Sequence, residues 1–310
     1  MTKGLLVVIG LGGSLALYTA FGVRQVEQAF PPIGNFIAAD GLQLHYVDTG
    51  SGPPVVLIHG ASTNLRDFSS SLVPVLAKEN RVLAFDRPGH GYSERPQNHW
   101  PHPAAQASYL HAALNALGVE RPLLVGHSWS GAVVLAYLLK HPESAAGGVL
   151  LAGASHPWKG GVAWTNTLGG IPVLGRLFAS TLVHPVGRLM LNSAIAEVFK
   201  PESPPSDYVG HTGVLLTLRP RNFLANAEDI RLLSDYLQDQ SQRYADIQRP
   251  LLLIHGTADD VVPAWNHADR LIKVIPNAKL VRLAQVGHAL HHTQTEPIAR
   301  LIMEFSRSVQ

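Results

Sequence analysis

The sequence predicts an α/β protein with a mostly parallel, eight-stranded sheet, helices on both faces of the sheet, and a helical cap inserted into the chain. Three observations lead to this prediction. Continuous apolar runs recur along the chain, helical stretches lie between them, and one long interval interrupts the alternation. Apolar runs of this kind are typical of strands buried on both faces, as in parallel sheets covered by helices.

The first two strands differ from the others. Residues 36–47 alternate around a turn at Asp40-Gly41, which is typical of an antiparallel hairpin. Later strands are predicted at residues 55–58, 82–85, 123–125, 148–151, 251–254 and 280–283. Helices are predicted between and after them at residues 72–77, 104–117, 133–140, 264–274 and 297–306. We therefore assign residues 35–153 and 227–310 to one α/β core.

Residues 154–226 show no alternation of strands and helices but many glycines, prolines and large apolar residues. An interval of this length is too long for a plain loop in a compact domain. We predict a helical cap, inserted after the sixth strand and overhanging the strand ends. Its Trp158, Trp164 and Phe178, together with Asn64 of the core, are candidates for the wall of a substrate pocket.

The N-terminal segment, residues 1–24, contains the uncharged apolar run 4–23, flanked by Lys3 and Arg24. About 20 such residues are enough to span a bilayer as a helix. We predict a single membrane anchor, a linker at residues 25–34, and a periplasmic or otherwise extracytoplasmic catalytic domain. A cleaved signal peptide with Ser14-Leu15-Ala16 as its small-residue site is the alternative and predicts a secreted protein.

The composition excludes several classes of function. The chain has 310 residues, no cysteine and a net charge of +2. The lack of cysteine excludes disulfides, thiolate catalysis and cysteine-based metal sites. Scattered basic residues do not indicate a nucleic-acid partner. The 16 histidines show no metal-ligand spacing, so we predict neither a metal nor a cofactor.

The most informative stretch is Gly126-His127-Ser128-Trp129-Ser130, between an apolar strand and an apolar helix. This arrangement is typical of a nucleophile elbow, a sharp turn that raises a serine hydroxyl above the sheet. Small residues are needed around the serine because the turn is tight. A serine that merely caps a helix is the alternative.

A serine hydroxyl becomes a nucleophile when an oriented base accepts its proton. Two late stretches supply candidates: Asp259 and the adjacent Asp260 follow one strand, and His288, with His291 and His292 nearby, follows the next. Open α/β sheets place their sites at the carboxyl ends of the strands. The chain order of serine, aspartate and histidine matches that of one known triad architecture.

Taken together, these motifs resemble the α/β-hydrolase fold family, in its capped, serine-esterase-like branch. The resemblance extends over residues 35–307 and includes five motifs: His59-Gly60, residues 86–93, the stretch around Ser128, Gly256 to Pro263, and Gly287-His288. It implies that Ser128 is the nucleophile, Asp259 the orienting acid and His288 the base, and that His291 and His292 are surface or helix-cap residues. The resemblance also implies that Asp86 and Arg87 brace neighbouring loops and have no chemical role.

An oxyanion hole needs two preorganised donors. The backbone N–H of Trp129 follows the nucleophile at the start of a helix, and the His-Gly-x resemblance implies the N–H of Ala61 as the second donor. We therefore predict a serine hydrolase that cleaves a small apolar carboxylic ester through an acyl-enzyme.

Three alternatives stay open on the same triad: a carbon–carbon bond hydrolase of dienone acids, a cofactor-free haloperoxidase or perhydrolase, and an acyltransferase. A non-catalytic, membrane-tethered binding protein is the alternative from another functional class. A binding protein, however, has no need of all three triad residues in order.

Overall fold

A computed structural model describes residues 2–97 and 99–309 of the chain, and its central element is one eight-stranded sheet. The strand order is β1-β2-β4-β3-β5-β6-β7-β8. β1 and β2 form the predicted hairpin, β2 also pairs antiparallel with β4, and every other neighbouring pair is parallel. The predicted mostly parallel sheet is thus confirmed. The strands are β1 Asn35–Ala39, β2 Leu42–Thr49, β3 Pro54–Ile58, β4 Arg81–Phe85, β5 Leu123–His127, β6 Gly147–Leu151, β7 Leu251–Gly256 and β8 Ala278–Leu283.

The described residues form thirteen α-helices, and some of them cover the two faces of this sheet. They are α1 Thr2–Ala29, α2 Arg66–Ser69, α3 Leu72–Leu76, α4 Pro103–Ala116, α5 Gly131–Lys140, α6 Trp164–Gly169, α7 Leu174–Phe178, α8 His184–Phe199, α9 Tyr208–Thr212, α10 Pro220–Gln240, α11 Ala268–Val274, α12 Leu290–Thr293 and α13 Thr295–Val309. Short 3₁₀ turns and one π-helical turn, Ala179–Val183, connect some of them.

The two faces of the sheet carry separate apolar cores. Val56 and Ile58 of β3 face the core that includes α4 and α5, whereas Val55 and Leu57 face the core that includes α3 and α13. Successive side chains of a strand point to opposite faces, so each of these four residues is buried on its own side. Two-sided burial explains why the central strands appear in the sequence as continuous apolar runs.

The interval after β6 is helical, in agreement with the expected cap. It contains α6, α7, α8 and α9 and ends in α10. Because α10 runs unbroken from Pro220 to Gln240, the predicted cap boundary at residue 226 falls inside a helix. The last cap helix and the segment that returns the chain to β7 are therefore one rigid element.

The N-terminal prediction needs correction. Within residues 2–97 and 99–309, none of the helices combines the length and the apolar character that crossing a bilayer requires. The predicted membrane anchor, and the localisation inferred from it, are therefore wrong. The second half of α1 instead packs on the cap: Thr19 Oγ1 donates to the Thr181 carbonyl at 3.2 Å and Glu27 pairs with Arg219 at 3.0 Å. Because α1 continues to Ala29, half of the expected linker is also helical.

Asp229 on α10 joins the cap to the core. It is fully buried and accepts from Arg87 Nη1 at 2.5 Å, from Arg95 Nη2 at 2.9 Å and from Trp100 Nε1 at 3.1 Å. Its own backbone carbonyl accepts from the Trp129 indole at 3.0 Å. The hydrogen bonds and opposite charges around a buried carboxylate offset the cost of burying it. Removing the carboxylate destabilises the fold, because the buried Arg87 then loses the negative charge beside it.

We expect Asp229→Asn to lower the free energy of unfolding by about 3–5 kcal/mol, because it leaves the buried Arg87 guanidinium without its counter-charge. Urea unfolding followed by circular dichroism measures the change. Asp235→Asn, at an exposed position of the same helix, is the matched control and should stay within about 0.5 kcal/mol of the wild type. Equal losses in the two variants would contradict the assigned role of Asp229.

Candidate active site

The predicted site residues follow the carboxyl ends of neighbouring strands. Ser128 follows β5, and Ala61 lies in the loop after β3, the strand that pairs with β5. Asp259 and His288 lie in the loops after β7 and β8, which also pair with each other. Parallel pairing thus brings four loops to one edge of the sheet, where sites of open α/β sheets lie.

Ser128 has a backbone φ of +53°, a conformation that residues other than glycine rarely adopt. The neighbouring glycines show why the turn is so tight. A Cβ on Gly126 would lie 2.6 Å from the Ser130 carbonyl oxygen, and one on Gly131 would lie 2.7 Å from the Gly153 Cα. These contacts leave room for hydrogen only, so packing on both sides holds Ser128 in the strained conformation of a nucleophile elbow.

The three predicted triad residues form one hydrogen-bonded chain. His288 Nε2 lies 2.9 Å from Ser128 Oγ, and His288 Nδ1 lies 2.8 Å from Asp259 Oδ2. The other oxygen of Asp259 accepts from the backbone N–H groups of Val261 and Val262 at 2.9 and 2.8 Å. These bonds fix the carboxylate so that it can hold the imidazole with Nε2 toward the serine.

The surroundings of Asp259 favour its ionised form. Burial alone would raise its pKa, but the charge of His288 and hydrogen bonds from His255, His288 and Val262 hold the pKa well below its usual value. A carboxylate in this position can stabilise a positive charge on the His288 imidazole. Its neighbour Asp260 is exposed, and the structure brings Asp259 rather than Asp260 to His288.

His291 and His292 were expected to be surface or helix-cap residues. Both lie in the short helix α12, and His291 is buried, with 1% of its surface exposed. Both imidazoles bond the buried Asp67, with Nε2 to carboxylate distances of 2.9 and 2.7 Å. Although burial raises the pKa of Asp67, the two histidines hold it well below its usual value. Two histidines and an aspartate are residue types that can bind a metal ion, but here each imidazole forms a hydrogen bond with one of the two carboxylate oxygens of Asp67. The cluster is accounted for as a hydrogen-bonded support beneath the active site.

The two expected oxyanion donors flank the nucleophile. Ala61 and Trp129 line the same cavity as Ser128. Trp129 lies in the 3₁₀ turn that starts at Ser128 and leads into α5, so its N–H belongs to the first turn of a helical segment. In the described part of the chain no protein acceptor bonds the Ala61 N–H, whereas the N–H of Ser62 is bonded to Asn226 at 2.7 Å.

The loop that carries Ala61 is held by its carbonyl groups. Arg87 donates to the His59 carbonyl at 3.1 Å and to the Gly60 carbonyl at 3.2 Å. The Ser130 hydroxyl also donates to the His59 carbonyl. With its carbonyls tied back, the loop can present an N–H to the cavity. Ser130, which departs from the usual glycine of the elbow, thus links the elbow to the oxyanion loop.

A cavity of about 800 Å³ opens above Ser128. This volume is in the range of roughly 300–1,000 Å³ typical of small-molecule sites. Trp158 lines it, as expected from the sequence. Most of its other lining is apolar and comes from α10 and the loop after β7, with Ile230, Leu233, Val261, Val262 and Pro263.

The other three predicted pocket residues do not line this cavity. The Asn64 amide is buried and bonds backbone carbonyls of Thr212 and Gly213 at 3.1 and 3.3 Å, so it fastens α9 to the core. Trp164 is 68% exposed and packs on Phe178, with ring centroids 5.9 Å apart. The two aromatic residues therefore stabilise the cap away from the nucleophile.

Sequence reasoning missed most of the cavity lining, including two polar residues, and also one residue that supports the site. His267 and Arg270, in the segment after Asp259, line the cavity. No motif marked them. Asp229 did leave a signal, because it interrupts the apolar stripe of Ala225, Leu233 and Leu237 along α10. An acidic residue on such a stripe indicates a buried charge that needs a partner.

Comparisons with known proteins agree with this architecture. The family model for the alpha/beta hydrolase fold matches residues 53–295. The chain is 30% identical over 295 residues to 2-hydroxymuconate semialdehyde hydrolase of Pseudomonas putida, covering 90% of this chain and 95% of the relative. It is 27% identical over 278 residues to a non-heme haloperoxidase of Rhodococcus erythropolis, covering 87% and 98% of the two chains.

Solved structures give the same fold. A meta-cleavage product hydrolase of Pseudomonas fluorescens IP01 superposes with a TM-score of 0.70 at 23% identity, over 90% of this chain and 99% of the other. An esterase of Thermogutta terrifontis superposes with a TM-score of 0.70 at 21% identity, over 89% and 99%. With the family model spanning most of the sequence and the elbow, strand order and cap all present, the chain belongs to the α/β-hydrolase fold family.

Proposed function

We propose that this protein is a serine hydrolase in which Ser128 attacks a carbonyl carbon, His288 moves the proton and Asp259 orients His288. The observation that carries the proposal is the continuous contact from Ser128 Oγ through His288 to Asp259, at 2.9 and 2.8 Å, on a strained elbow beside a cavity. A serine that only caps a helix needs neither the strain nor the two partners.

The reaction follows from these positions. His288 Nε2 accepts the Ser128 proton as Oγ bonds the carbonyl carbon, and the carbonyl oxygen becomes an oxyanion between the N–H groups of Ala61 and Trp129. One such donor is typically worth about 3–4 kcal/mol of transition-state stabilisation. His288 then returns the proton to the leaving group, and water releases the acyl group from Ser128 by the same steps.

For the substrate we propose a 2-hydroxy-6-oxo-dienoic acid, whose carbon–carbon bond beside the 6-oxo group is cleaved. The support is the 30% identity to 2-hydroxymuconate semialdehyde hydrolase and the 26% identity to 2-hydroxy-6-oxo-2,4-heptadienoate hydrolase, each over most of the chain. The dienol first tautomerises to its 2,6-dioxo form, in which the proton of the 2-hydroxyl group has moved to C5. Ser128 then bonds the 6-oxo carbon, the C5–C6 bond breaks, and its electron pair is delocalised through the remaining double bond onto the 2-oxo group. The proton that His288 returns neutralises this leaving acid. The acyl group left on Ser128 is hydrolysed to a carboxylic acid.

A carboxylic ester is the second candidate. It is favoured by the apolar lining of the cavity, where Ile230, Leu233 and Val262 suit an alkyl or acyl chain. The triad serves both reactions, because both begin with attack on a carbonyl carbon. The two candidates differ in the leaving group, which is an alkoxide for the ester and a conjugated carbanion for the dienoic acid.

The triad assignment predicts that Ser128→Ala abolishes turnover and that Asp259→Asn lowers kcat about 10⁴-fold, because the amide no longer fixes the imidazole tautomer. Steady-state kinetics on any cleaved substrate measures both. Asp260→Asn is the matched control, since it makes the same change at the exposed neighbouring position and should keep kcat. A large loss in Asp260→Asn with little loss in Asp259→Asn would reassign the acid.

The substrate proposal predicts a higher kcat/KM for 2-hydroxy-6-oxo-2,4-heptadienoate than for p-nitrophenyl esters from acetate to palmitate. Loss of the dienolate absorbance and release of p-nitrophenolate measure the two reactions on the same full-length protein. Ser128→Ala should stop both. If the esters are cleaved faster than the dienoate, the second candidate is the better one. Turnover that survives in Ser128→Ala would contradict the serine mechanism itself.

A further inference from the structure

The cavity above Ser128 is not uniformly apolar. Away from the triad it carries Lys159 and Arg270, and no aspartate or glutamate lines it in the part of the chain that the structure describes. An apolar cavity with cations and no acidic residue favours a ligand that is itself anionic. His267 and Asn266 lie beside Arg270 in the same wall.

The proton on His267 can be placed from its hydrogen bonds. The backbone N–H groups of Ser155 and His156 both point to its Nδ1, at 3.1 and 3.3 Å. An imidazole nitrogen that accepts hydrogen bonds carries no proton, so the proton of the neutral ring is on Nε2. Burial, together with the charges of His156 and His255, lowers the pKa of His267 to about 3, which keeps the ring neutral.

The Nε2–H of His267 has no acceptor among residues 2–97 and 99–309. Its nearest polar contact is Asn266 Nδ2 at 3.5 Å, but that nitrogen donates to the Pro157 carbonyl at 3.1 Å. A contact between two donors is not a hydrogen bond. A buried donor without a partner is costly, so its presence in a cavity wall indicates that a ligand oxygen supplies the acceptor.

Arg270 is fixed next to this donor. Its Nη1 donates to Asn266 Oδ1 at 3.0 Å, and its charge is among the groups that lower the pKa of His267. Arg270 is exposed and makes this one side-chain hydrogen bond within the described residues, which leaves most of its N–H groups free. A guanidinium beside a neutral N–H donor matches the two oxygens of a carboxylate.

We propose that His267 and Arg270 form a subsite for a carboxylate at the far end of the acyl group that Ser128 receives, distinct from the carboxylate of the leaving acid. The proposal rests on the proposed hydrolysis at Ser128, because the subsite and the nucleophile share one cavity. It deepens that function by assigning substrate selection to the segment after Asp259. Substrates with an acyl chain that ends in a carboxylate should therefore be preferred to neutral substrates of equal length.

The test compares mono-p-nitrophenyl glutarate with p-nitrophenyl valerate, whose acyl chains have equal length and differ in the terminal carboxylate. We expect the full-length protein to have the higher kcat/KM for the glutarate ester. In Arg270→Gln the ratio of the two kcat/KM values should fall about tenfold or more, the size expected for a charge-assisted hydrogen bond. Arg300→Gln, at an exposed position on α13, is the matched control and should keep the wild-type ratio.

Two further variants test the chemistry of the subsite. Arg270→Lys keeps the charge and should restore part of the ratio that Arg270→Gln loses. His267→Leu should lower the ratio in the same direction, with its thermal midpoint measured alongside because the change also removes the acceptor of two backbone N–H groups. A ratio that is the same in the wild type and in Arg270→Gln overturns the proposal.

A binding measurement separates this proposal from the proposed function. Calorimetric titration of the Ser128→Ala protein with mono-p-nitrophenyl glutarate reports the subsite without any turnover. Binding that weakens about tenfold when Arg270→Gln is added supports the subsite, even if neither ester is cleaved by the wild type and the serine mechanism fails. Unchanged binding overturns the subsite, whatever the kinetics of Ser128 show.

Discussion

The strained backbone of Ser128 is the constraint on which the rest of the site depends. A positive φ at a serine costs about 1–3 kcal/mol, and it persists only where the surroundings leave no alternative. Here the contacts of Gly126 and Gly131 supply that constraint, since neither position has room for a Cβ. The strain places Oγ 2.9 Å from the base and starts a helical segment at the same residue. The proposed nucleophile, its contact with the proposed base His288, and one proposed oxyanion donor thus come from a single turn.

The second proposed oxyanion donor, the Ala61 N–H, depends on a different interaction. Arg87 ties back the carbonyls of the loop before Ala61 and at the same time pairs with Asp229 on α10. Its guanidinium also lies 4.1 Å from the ring of Trp129. One buried cation therefore connects the oxyanion loop, the residue after the nucleophile and the last helix of the cap. The cap is held in register with the catalytic loops by charge as well as by apolar contact.

The parts of this protein that could be predicted from its sequence are those that leave a local pattern. Two-sided burial gives the apolar runs of β3 and β5, and the elbow needs small residues at fixed spacing around Ser128. The triad partners follow strands, so Asp259 and His288 are found by the same rule. Contacts between distant segments leave no such pattern. The residues around His291 in the sequence do not indicate that its imidazole bonds Asp67, which lies 224 residues earlier.

The N-terminal helix shows a second limit. The apolar run at residues 4–23 led to the prediction of a membrane span, although none of the described helices is long and apolar enough for one. A run of residue types also does not reveal that Thr19 and Glu27 contact the cap residues Thr181 and Arg219. Three of the four predicted pocket residues do not line the cavity, for a related reason. Trp164 and Phe178 are large and apolar, as pocket residues often are, yet they pack on each other because the fold of the cap, rather than residue type, decides which side chains reach the cavity.

The segment after β7 carries both the proposed orienting acid, Asp259, and part of the cavity wall. It begins with Asp259, whose carboxylate is held in place by the N–H groups of Val261 and Val262. It continues into the wall that carries His267 and Arg270. Because one short segment holds both, a shift that moves the substrate-binding wall also moves the carboxylate that orients His288. The proposed carboxylate subsite and the proposed proton transfer at Ser128 therefore depend on the same segment of the chain.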